Sequence, residues 1–527
     1  MRLRSLIDLK MKGFDRKEIL ILLLCLLIGF ALRFYTFDQK SLWVDEIHTF
    51  NESRFGFEDQ MKYYVDNPTF LYPPLFFLLS HQFYPFAKPE RDLRIIPLVF
   101  GTLSIPMIYL LSRLFSRSIA LPCTLSLTFM TYQISLSQEG RSYSMLLFLG
   151  MAGLYFFIKY FKTLKRKYLF PASLFFAVSI FTGYTSILYI VFAQLFWLYR
   201  FREDSKKPDL YSFLTFNGLI LILCSPWFIF LISNYHGQSV TAMNPFEIQY
   251  LISFWNIFYS IFYDWTPHAP LMIISITLLV LLPLFSKERK NAIILLLVFV
   301  LPIGSLYLYT SLFNITHFIT SRYLINFLPP LFIALYLSLG VIETKLEKFR
   351  YFIRLKSIFT IIFIASNLVI LPPYYRSGKQ DFRGLANYLK GEIRDGDKII
   401  VGTIAYVPGI LHYFGVYPKD RHYIFYPRKV SEKEKEYRYY LSNQNNRILI
   451  SYSETFWAQY ALEGSRLWIV VDDTTAREIK KNTPSVLKGY FDGSFANFER
   501  FPVDASLYLF LWDPKSPNEK GIDMPME

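Results

Sequence analysis

Long apolar runs constrain this chain more than any other feature of its sequence. A bilayer core about 30 Å thick is crossed by roughly 20 apolar residues in a helix, and about eleven such runs fill the first three-quarters of the 527 residues. The composition agrees, because 53% of the residues are hydrophobic and 19% are aromatic, well outside the soluble range. The sequence therefore predicts a polytopic α-helical membrane protein with about 11–13 transmembrane helices.

The charge of the chain is strongly positive, with 56 Lys and Arg against 41 Asp and Glu and a net charge of +15. These basic residues cluster in the short loops between apolar runs, as expected for loops that stay in the cytoplasm beside anionic lipids. No stripe of stacking aromatics interleaved with Arg occurs in the polar segments, which argues against nucleic acid as a partner. The three cysteines, Cys25, Cys123 and Cys224, lie inside apolar runs and offer no disulfide framework.

The basic N-terminus indicates a threading in which a retained first helix, Glu18 to Phe34, delivers an outer loop from Thr36 to Tyr72. If Pro73 to Phe86 does not span, the later basic loops all fall on the cytoplasmic side. The aromatic segment Phe246 to Tyr263 is predicted to lie in the outer interface. The other spans are predicted at Arg94 to Leu111, Ile119 to Tyr132, Ser142 to Tyr160, Tyr168 to Phe181, Ser186 to Tyr199, Tyr211 to Ile232, Leu271 to Phe285, Ala292 to Ser311, Tyr323 to Val341 and Ser357 to Leu371.

After Pro372-Pro373 the composition becomes that of a soluble domain. Strand-like runs at Lys398 to Val401, Arg447 to Ser451 and Leu467 to Val471 alternate with polar helical stretches, which predicts a small α/β fold. We therefore expect a membrane domain over residues 1–375, with a catalytic first outer loop over residues 37–72. A soluble extracytoplasmic α/β domain is expected over residues 376–527.

Three polar segments could carry chemistry, and the threading places all of them at the outer face. Each has an ordinary alternative: a solvated loop, a helix-end salt bridge, or an interface anchor. Their convergence on one face favours a site there, whereas a transporter would more often place ionisable groups in mid-membrane. The segments are Ser41 to Glu46, with Asp45 and Glu46; Ser137 to Tyr143, with Glu139 and Arg141; and His317 to Tyr323, with Arg322 and Tyr323.

Taken in order along the chain, these motifs resemble those of the membrane-embedded GT-C glycosyltransferases. The resemblance is to the bacterial group related to protein O-mannosyltransferases and lipid A aminoarabinose transferase, and it covers the whole chain. Two positions depart from that pattern, since Thr182-Gly183-Tyr184 lacks a His and Leu71-Tyr72-Pro73 lacks a basic residue. The matching segments are Trp43-Val44-Asp45-Glu46, Tyr72-Pro73-Pro74-Leu75, Arg94-Ile95-Ile96-Pro97, Ser137 through Tyr143, Arg322-Tyr323 and Asp381-Phe382-Arg383.

The resemblance implies a sugar donor on a polyprenyl phosphate and a bacterial cytoplasmic membrane location, with the site on the extracytoplasmic side. It implies that Asp45 is the first-loop catalytic carboxylate and Glu139 the second-loop acid. We assign the base that activates the acceptor to Asp45, with Glu46 as second choice. A divalent metal ion between Asp45 and Glu139 is left open. The residues expected to bind the substrate are Arg94, Arg141, Tyr143, Arg322 and Tyr323.

Two other functions remain open on the sequence alone. The first is a lipid-linked sugar flippase or transporter that uses the same cavity without transfer chemistry, and the second is an assembly scaffold. The acceptor is equally open, since an envelope lipid, a glycan or a protein would each supply a hydroxyl or an amine.

Overall fold

A computed structural model describes residues 15–66, 71–203, 209–234, 261–285, 304, 321–348, 353–402, 406–416, 437–443, 446–452, 464, 466–493, 505–516 and 519–524. The chain forms two compact units, each assembled from separate segments. The membrane unit comprises Met1–Tyr35, Tyr72–Phe76 and Arg94–Pro372. The sheet unit comprises Thr36–Leu71, Phe77–Leu93 and Pro373–Glu527.

Helices dominate the described part of the chain. Short 3-10 helices occur at Arg166–Tyr168, Tyr184–Ser186 and Ser321–Phe327. The α-helices are α1 (Arg16–Phe34), α2 (Val44–Ser53), α3 (Phe57–Asp66), α4 (Leu75–His81), α5 (Pro89–Asp92), α6 (Ile95–Phe115), α7 (Arg117–Phe129), α8 (Thr131–Ser137), α9 (Tyr143–Thr163), α10 (Leu169–Ile180), α11 (Ile187–Glu203), α12 (Leu210–Asn234), α13 (Ala269–Phe285), α14 (Leu328–Lys348), α15 (Leu355–Arg376), α16 (Phe382–Glu392), α17 (Val407–Tyr413) and α18 (Asp473–Asn482).

Several helices are suited to crossing a bilayer, so the chain is a multi-pass membrane protein. Among the described residues, five helical stretches are long and apolar enough to span, and a bent pair of helices can supply a sixth crossing. The predicted span Ala292 to Ser311 and nearly all of the aromatic segment Phe246 to Tyr263 lie outside the described residues. The five stretches are Pro89–Phe115, Tyr143–Thr163, Leu210–Asn234, Ser321–Glu347 and Leu355–Arg376.

The proline-led segment after the first loop contains only the short helix α4. Its seven residues extend over about 10 Å, well short of a bilayer core about 30 Å thick. The helix is tied to the membrane unit at its start, where Leu75 N donates to Phe181 O over 3.0 Å. A seven-residue helix agrees with the interpretation that Pro73 to Phe86 does not span.

The span predicted as one helix from Ile119 to Tyr132 is in fact broken. Helix α7 ends at Phe129, Met130 adopts an extended conformation, and α8 leaves at an angle of 60°. A break inside a membrane exposes backbone groups that need partners within the protein. The broken span leads directly into the Gln138–Tyr143 segment, so its geometry sets the direction in which that segment starts.

Buried polar side chains supply those partners on both sides of the break. On the α7 side, the guanidinium of Arg33 donates to the carbonyls of Leu127 and Thr128, over 3.0 and 3.2 Å. On the α8 side, Thr131 N donates to Asn367 Oδ1 over 2.8 Å, and the Thr131 hydroxyl donates to Asn367 O over 2.8 Å. The fully buried Arg33 also donates through Nε to Gln133 Oε1 over 2.9 Å. The break is therefore a fixed feature of the membrane unit.

The sheet unit is built on a mixed six-stranded sheet in the order β2-β3-β1-β4-β6-β5. Strand β1 runs parallel to β3 and β4, and the remaining pairs are antiparallel. All five side chains of β4 are buried, as expected for a central strand covered on both faces. The strands are β1 (Lys398–Val401), β2 (Tyr437–Asn443), β3 (Asn446–Tyr452), β4 (Leu467–Val471), β5 (Val486–Phe491) and β6 (Leu507–Trp512).

Helices cover both faces of this sheet. One face packs against α16 and α17, through residues such as Phe382, Leu385 and Ile410. The other packs against α18, which contributes Ala476 and Ile479. These clusters form a core independent of the membrane helices, and they confirm a C-terminal domain of helices on a sheet.

The first loop lies within the sheet unit, over Thr36–Leu71, and the domain bounds at residues 1–375 and 376–527 stay predictions. Its helix α2 contributes Ile47 and Phe50 to a buried apolar cluster with Leu42, Phe86 and Leu93. The first loop is thus packed on its own core within the sheet unit.

Candidate active site

The first set of predicted site residues sits at the start of α2. The helix begins after Trp43, whose backbone is extended, and the Glu46 side chain returns to accept a hydrogen bond from Trp43 N over 3.4 Å. Asp45 and Glu46 both lie in the first helical turn, where backbone N–H groups and the helix dipole favour negative charge. The two neighbouring carboxylates are thus stabilised locally before any tertiary contact is considered.

Tertiary packing then separates the two carboxylates. Glu46 is fully buried, with its Oε2 atom 3.9 Å from the ammonium nitrogen of Lys379. Asp45 is only half-buried. A buried carboxylate beside a cation acts first as part of the packing, whereas a half-buried one is open to contact from outside; the catalytic roles of Asp45 and Glu46 stay predictions.

A second anchor of the first loop is Tyr413, at the end of α17. Its hydroxyl accepts a hydrogen bond from Leu42 N over 2.7 Å and donates to Glu90 Oε1 over 2.9 Å. Burial, with the nearby Glu90 charge, raises the pKa of Tyr413 well above its usual range, so the hydroxyl keeps its proton. Arg383 pairs with the same Glu90 at 3.5 Å and donates its backbone N–H to Ser41 Oγ over 3.2 Å.

The other predicted residues belong to the membrane unit, and five of them lie close together. Glu139 is 4% exposed, and its Oε1 atom is 4.0 Å from the guanidinium of Arg322, which is itself buried. The Arg322 guanidinium lies 5.7 Å from the ring centroid of Tyr143 and 5.6 Å from that of Tyr323. The two rings meet edge to face at 5.9 Å. Arg141 lies 5.8 Å from the Tyr143 ring and is partly exposed.

Hydrogen bonds to the end of α1 hold this cluster in place. Gln138 donates through Nε2 to the carbonyls of Arg33 and Tyr35 at the end of α1, over 3.0 and 2.5 Å. Arg141 N donates to Glu139 O in the tight turn that follows, over 2.6 Å. Glu139 therefore stands at the end of the broken span, fixed by contacts that do not involve its own carboxylate.

Arg94 occupies a different place from the other predicted substrate-binding residues. It immediately precedes α6 and is 1% exposed, with its carbonyl accepting from Leu98 N over 3.0 Å. A side chain buried at a helix start fits a packing role within the membrane unit. Binding of substrate by Arg94 stays a prediction.

A polar group that the sequence interpretation missed adjoins Arg322. Ser321 Oγ lies 2.6 Å from Tyr132 Oη and donates to Asp264 Oδ2 over 2.6 Å. Asp264 is 2% exposed, although it lies between the aromatic residues Tyr263 and Trp265. A lone carboxylate in an apolar, aromatic stretch is costly in a membrane protein, and that cost is the signal that could have identified it.

The metal hypothesis draws little support from the described side chains. In that part of the chain no three His, Cys, Asp or Glu residues are grouped closely enough to hold a metal ion. Glu139 already faces the Arg322 cation at 4.0 Å. A divalent ion on Asp45 and Glu139 stays a prediction, and no step proposed below depends on it.

Chemically, the membrane cluster joins one acid, two guanidinium groups and two phenol rings at a buried position. Charges in such surroundings interact more strongly than in water, and Arg can offer two parallel N–H donors to phosphate oxygens. The arrangement suits an anionic headgroup that enters from the membrane. In the sheet unit, helix α2 carries a half-buried carboxylate, Asp45.

Comparison with known proteins concerns the fold of the chain and one segment of its sequence. Residues 70–230, less than a third of the chain, match the family described as dolichyl-phosphate-mannose-protein mannosyltransferase. The structure is similar to that of ArnT from Cupriavidus metallidurans in the apo state, with a TM-score of 0.52, 11% identity, and coverage of 94% of this chain and 97% of that one. ArnT from the same organism bound to undecaprenyl phosphate gives a TM-score of 0.51, with the same identity and coverage. No curated protein sequence matches the chain.

The structural likeness concerns the fold, since the identity is so low, whereas the family match concerns residues 70–230, which include Glu139 and Arg141. The chain therefore has the fold of ArnT, and residues 70–230 match that mannosyltransferase family, which is consistent with the GT-C resemblance of its sequence motifs.

Proposed function

We propose that this chain is a membrane-embedded glycosyltransferase that moves a sugar from a polyprenyl-phosphate donor to an acceptor of the bacterial cell envelope. The observation that carries the proposal is the buried Glu139–Arg322 pair, flanked by Tyr143 and Tyr323 in the membrane unit. A buried guanidinium in a membrane protein suits a ligand that brings a phosphate into the bilayer on an apolar tail. ArnT with undecaprenyl phosphate shows that a protein of this fold can hold such a ligand.

In the proposed reaction, Arg322 binds the donor phosphate and Arg141 adds a second positive charge. The acceptor oxygen or nitrogen attacks the anomeric carbon of the sugar, and the bond from that carbon to the phosphate oxygen breaks. The electron pair leaves with the phosphate, where the guanidinium groups stabilise the new negative charge. Asp45 takes the proton of the acceptor and completes the balance of the step.

Glu139 has a supporting role in this proposal. Its carboxylate orients the Arg322 guanidinium before the donor binds. The donor phosphate then replaces part of the contact between Glu139 and that guanidinium. The side chain thus prevents a fully buried, uncompensated cation in the empty site. This role does not require Glu139 to exchange a proton.

We further propose that the site and the sheet unit face the outside of the cytoplasmic membrane. The basis is the clustering of Lys and Arg in the loops that alternate with the proposed outer segments. The sheet unit is proposed to support the first loop rather than to bind a nucleotide sugar, because its strand ends carry no glycine-rich phosphate loop.

The test compares cells that carry the wild-type chain with cells that carry Asp45→Asn at matched protein levels. Mass spectrometry of envelope lipids, glycans and proteins should show one sugar-sized modification that is lost with the variant. Purified protein in lipid vesicles should then transfer that sugar from a polyprenyl phosphate sugar and not from a nucleotide sugar. Transfer from a nucleotide sugar without any polyprenyl lipid, or movement of the lipid-linked sugar across the vesicle without transfer, would contradict the proposal.

A further inference from the structure

A short segment of the sheet unit, Gly378–Asp381, contacts the helix turn that carries Asp45. Lys379 Nζ lies 3.9 Å from Glu46 Oε2 and 5.6 Å from the centre of the Trp43 ring. Gln380 Oε1 accepts a hydrogen bond from Val44 N over 3.0 Å. The residue after Asp45 and the two before it are thus each contacted by this segment.

The contacts are made by side chains that rarely lie inside proteins. Lys379 is 3% exposed, Gln380 is 2% exposed and Glu46 is fully buried. Burying a charge is expensive unless a partner of opposite sign lies close, and breaking such a pair leaves an uncompensated charge. The Lys379–Glu46 pair therefore stabilises the arrangement in which α2 contacts the segment, and it disfavours arrangements in which the two charges are separated.

The segment is itself held firmly by the end of β5. Gly378 N donates to Asp492 Oδ2, and Asp381 N donates to Asp492 O over 3.3 Å. A Cβ atom on Gly378 would lie 2.4 Å from Asp492 O, so only glycine allows this approach. Gln380 has a φ of 47°, in the left-handed region that non-glycine residues seldom adopt, so the surrounding contacts must enforce its conformation.

On the far side of the segment, Asp381 begins α16 by accepting a hydrogen bond from Gly384 N over 2.9 Å. Helix α16 is anchored in the core of the sheet unit through Phe382 and Leu385. A continuous series of contacts thus runs from the sheet, through the segment, to the first turn of α2. This series gives the Asp381-Phe382-Arg383 motif a physical role that its sequence alone did not suggest.

We propose that Lys379 and Gln380 are positioning residues of the transfer reaction, which fix the helix turn of Asp45 so that its carboxylate meets the acceptor. The inference rests on the proposed function, because it takes Asp45 as the base. Neither residue needs to touch the substrate. A displacement of about 1 Å in a reacting group can lower the rate roughly 100-fold, so loss of these contacts is expected to act on turnover.

The experiment uses the full-length protein in lipid nanodiscs and three variants. Lys379→Met leaves the Glu46 carboxylate without the Lys379 charge, and Lys379→Met with Glu46→Gln removes both charges while retaining an oxygen that can accept from Trp43 N. Lys488→Met is the matched control, because Lys488 pairs with Glu519 at 3.4 Å in the same unit but on strand β5. Turnover, the KM for the lipid donor, and hydrogen–deuterium exchange of the α2 backbone are measured for each.

We expect turnover of Lys379→Met to fall about 10-fold to 100-fold with little change in donor KM, because the contacts that bind the donor are in the membrane unit. Backbone exchange in α2 should become faster. The double variant should regain most of the turnover and the slow exchange, and Lys488→Met should match the wild type. Faster exchange confined to α2, with unchanged exchange in strands β4 and β6, separates loss of this contact from a general loss of folding.

Two results would overturn the inference: normal turnover in a folded Lys379→Met protein, or a double variant that restores slow exchange in α2 without restoring turnover. The proposed function fails in a different way. In that case neither the wild type nor any variant would transfer a sugar from a polyprenyl donor. Exchange in α2 would still become faster in Lys379→Met and recover in the double variant. The contact would then be correct, and the reaction assigned to it would be wrong.

Discussion

Two buried carboxylate–cation pairs, one in each unit, have nearly equal separations but different surroundings. Glu139 faces Arg322 at 4.0 Å in the membrane unit, and Glu46 faces Lys379 at 3.9 Å in the sheet unit. The cation of the first pair lies beside two tyrosine rings, and it can present several N–H donors in one plane. The cation of the second is a compact ammonium beside Trp43.

The contrast shows that distance and burial do not by themselves identify a site. A guanidinium can keep one contact to its carboxylate while its other N–H groups donate to a phosphate. The Glu139–Arg322 pair is therefore suited to binding and releasing a phosphate. The Lys379 ammonium, beside the first turn of α2, is better suited to a permanent contact with Glu46. We therefore assign binding to the first pair and positioning to the second, and the following predictions separate the two assignments.

The largest effect is expected from the neighbouring acids of α2. Asp45→Asn should reduce turnover roughly 100-fold to 10,000-fold, because an amide cannot take the acceptor proton. Donor binding and folding should survive, since the amide is nearly isosteric and the side chain is half-buried. Steady-state transfer and donor-lipid binding measure these quantities. Glu46→Gln should lower turnover less than Asp45→Asn, and the reverse order would exchange the two roles.

A smaller effect should follow from keeping the charge of the membrane pair while changing its shape. Arg322→Lys should weaken use of the donor about 10-fold or more, because an ammonium cannot hold two phosphate oxygens in the same way. Titration with the lipid donor gives the affinity. The control is Arg113→Lys, since Arg113 also pairs with a glutamate, Glu18 at 3.5 Å, and contacts a tyrosine ring. Equal behaviour of the two variants would make Arg322 an ordinary packing residue.

The membrane pair should also depend on the helix break that leads to Glu139. Asn367→Leu removes the oxygen that accepts from Thr131 N at the start of α8, which should lower the free energy of unfolding by about 2 kcal/mol. The thermal midpoint in nanodiscs measures the change. Asn234→Leu is the comparison, because that amide donates within its own helix, to Phe230 O. An Asn367→Leu protein with unchanged midpoint and turnover would show that the break needs no cap.

The smallest effect concerns pH and the sheet unit. Burial, with the positive charge of Arg54, lowers the pKa of His412 to about 4, and its ring packs edge-on against Phe50 of α2. The unfolded chain binds a proton near pH 6.5 and the folded chain only near pH 4, so stability is lost as the pH falls through this window. Between pH 7 and 5.5 the loss should be about 1 kcal/mol.

Thermal unfolding of the wild type and of His412→Phe at these two pH values tests this expectation. The phenylalanine variant keeps the ring packing but cannot bind a proton, so its midpoint should change less with pH. Identical pH dependence in both proteins would assign the effect to other groups.

Hydropathy was sufficient to predict the five long apolar helical stretches of the described residues, because the thickness of a bilayer imposes a length that a sequence either meets or does not. Strands β1 and β4 were also predicted with their observed ends. The break at Met130 was not predicted. The nearest proline, Pro122, lies within α7 and does not end it, and no residue type around Met130 signals an interruption. Strand β6 was missed because six consecutive apolar residues have no period that separates a strand from a helix.

The site was predictable only where one local segment contains the chemistry. Asp45, Glu139 and Arg322 each stand in a short polar motif beside an apolar run, and they were identified from those motifs; their catalytic and binding roles stay predictions. Lys379 and Gln380 carry no local signal of this kind. Their importance depends on which residues they meet in space, and Lys379 meets a glutamate more than three hundred residues earlier in the sequence.

The sheet unit combines early and late parts of the chain, with Thr36–Leu71 and Phe77–Leu93 made soon after helix α1 and Pro373–Glu527 made last. A ribosome adds on the order of 5 to 20 residues per second, so the early pieces wait for on the order of tens of seconds until their partner strands emerge. During that interval the first turn of α2 lacks its contacts with Lys379 and Gln380. The nascent chain therefore cannot present an assembled Asp45 helix until synthesis is nearly complete, which delays activity until the membrane helices are in place.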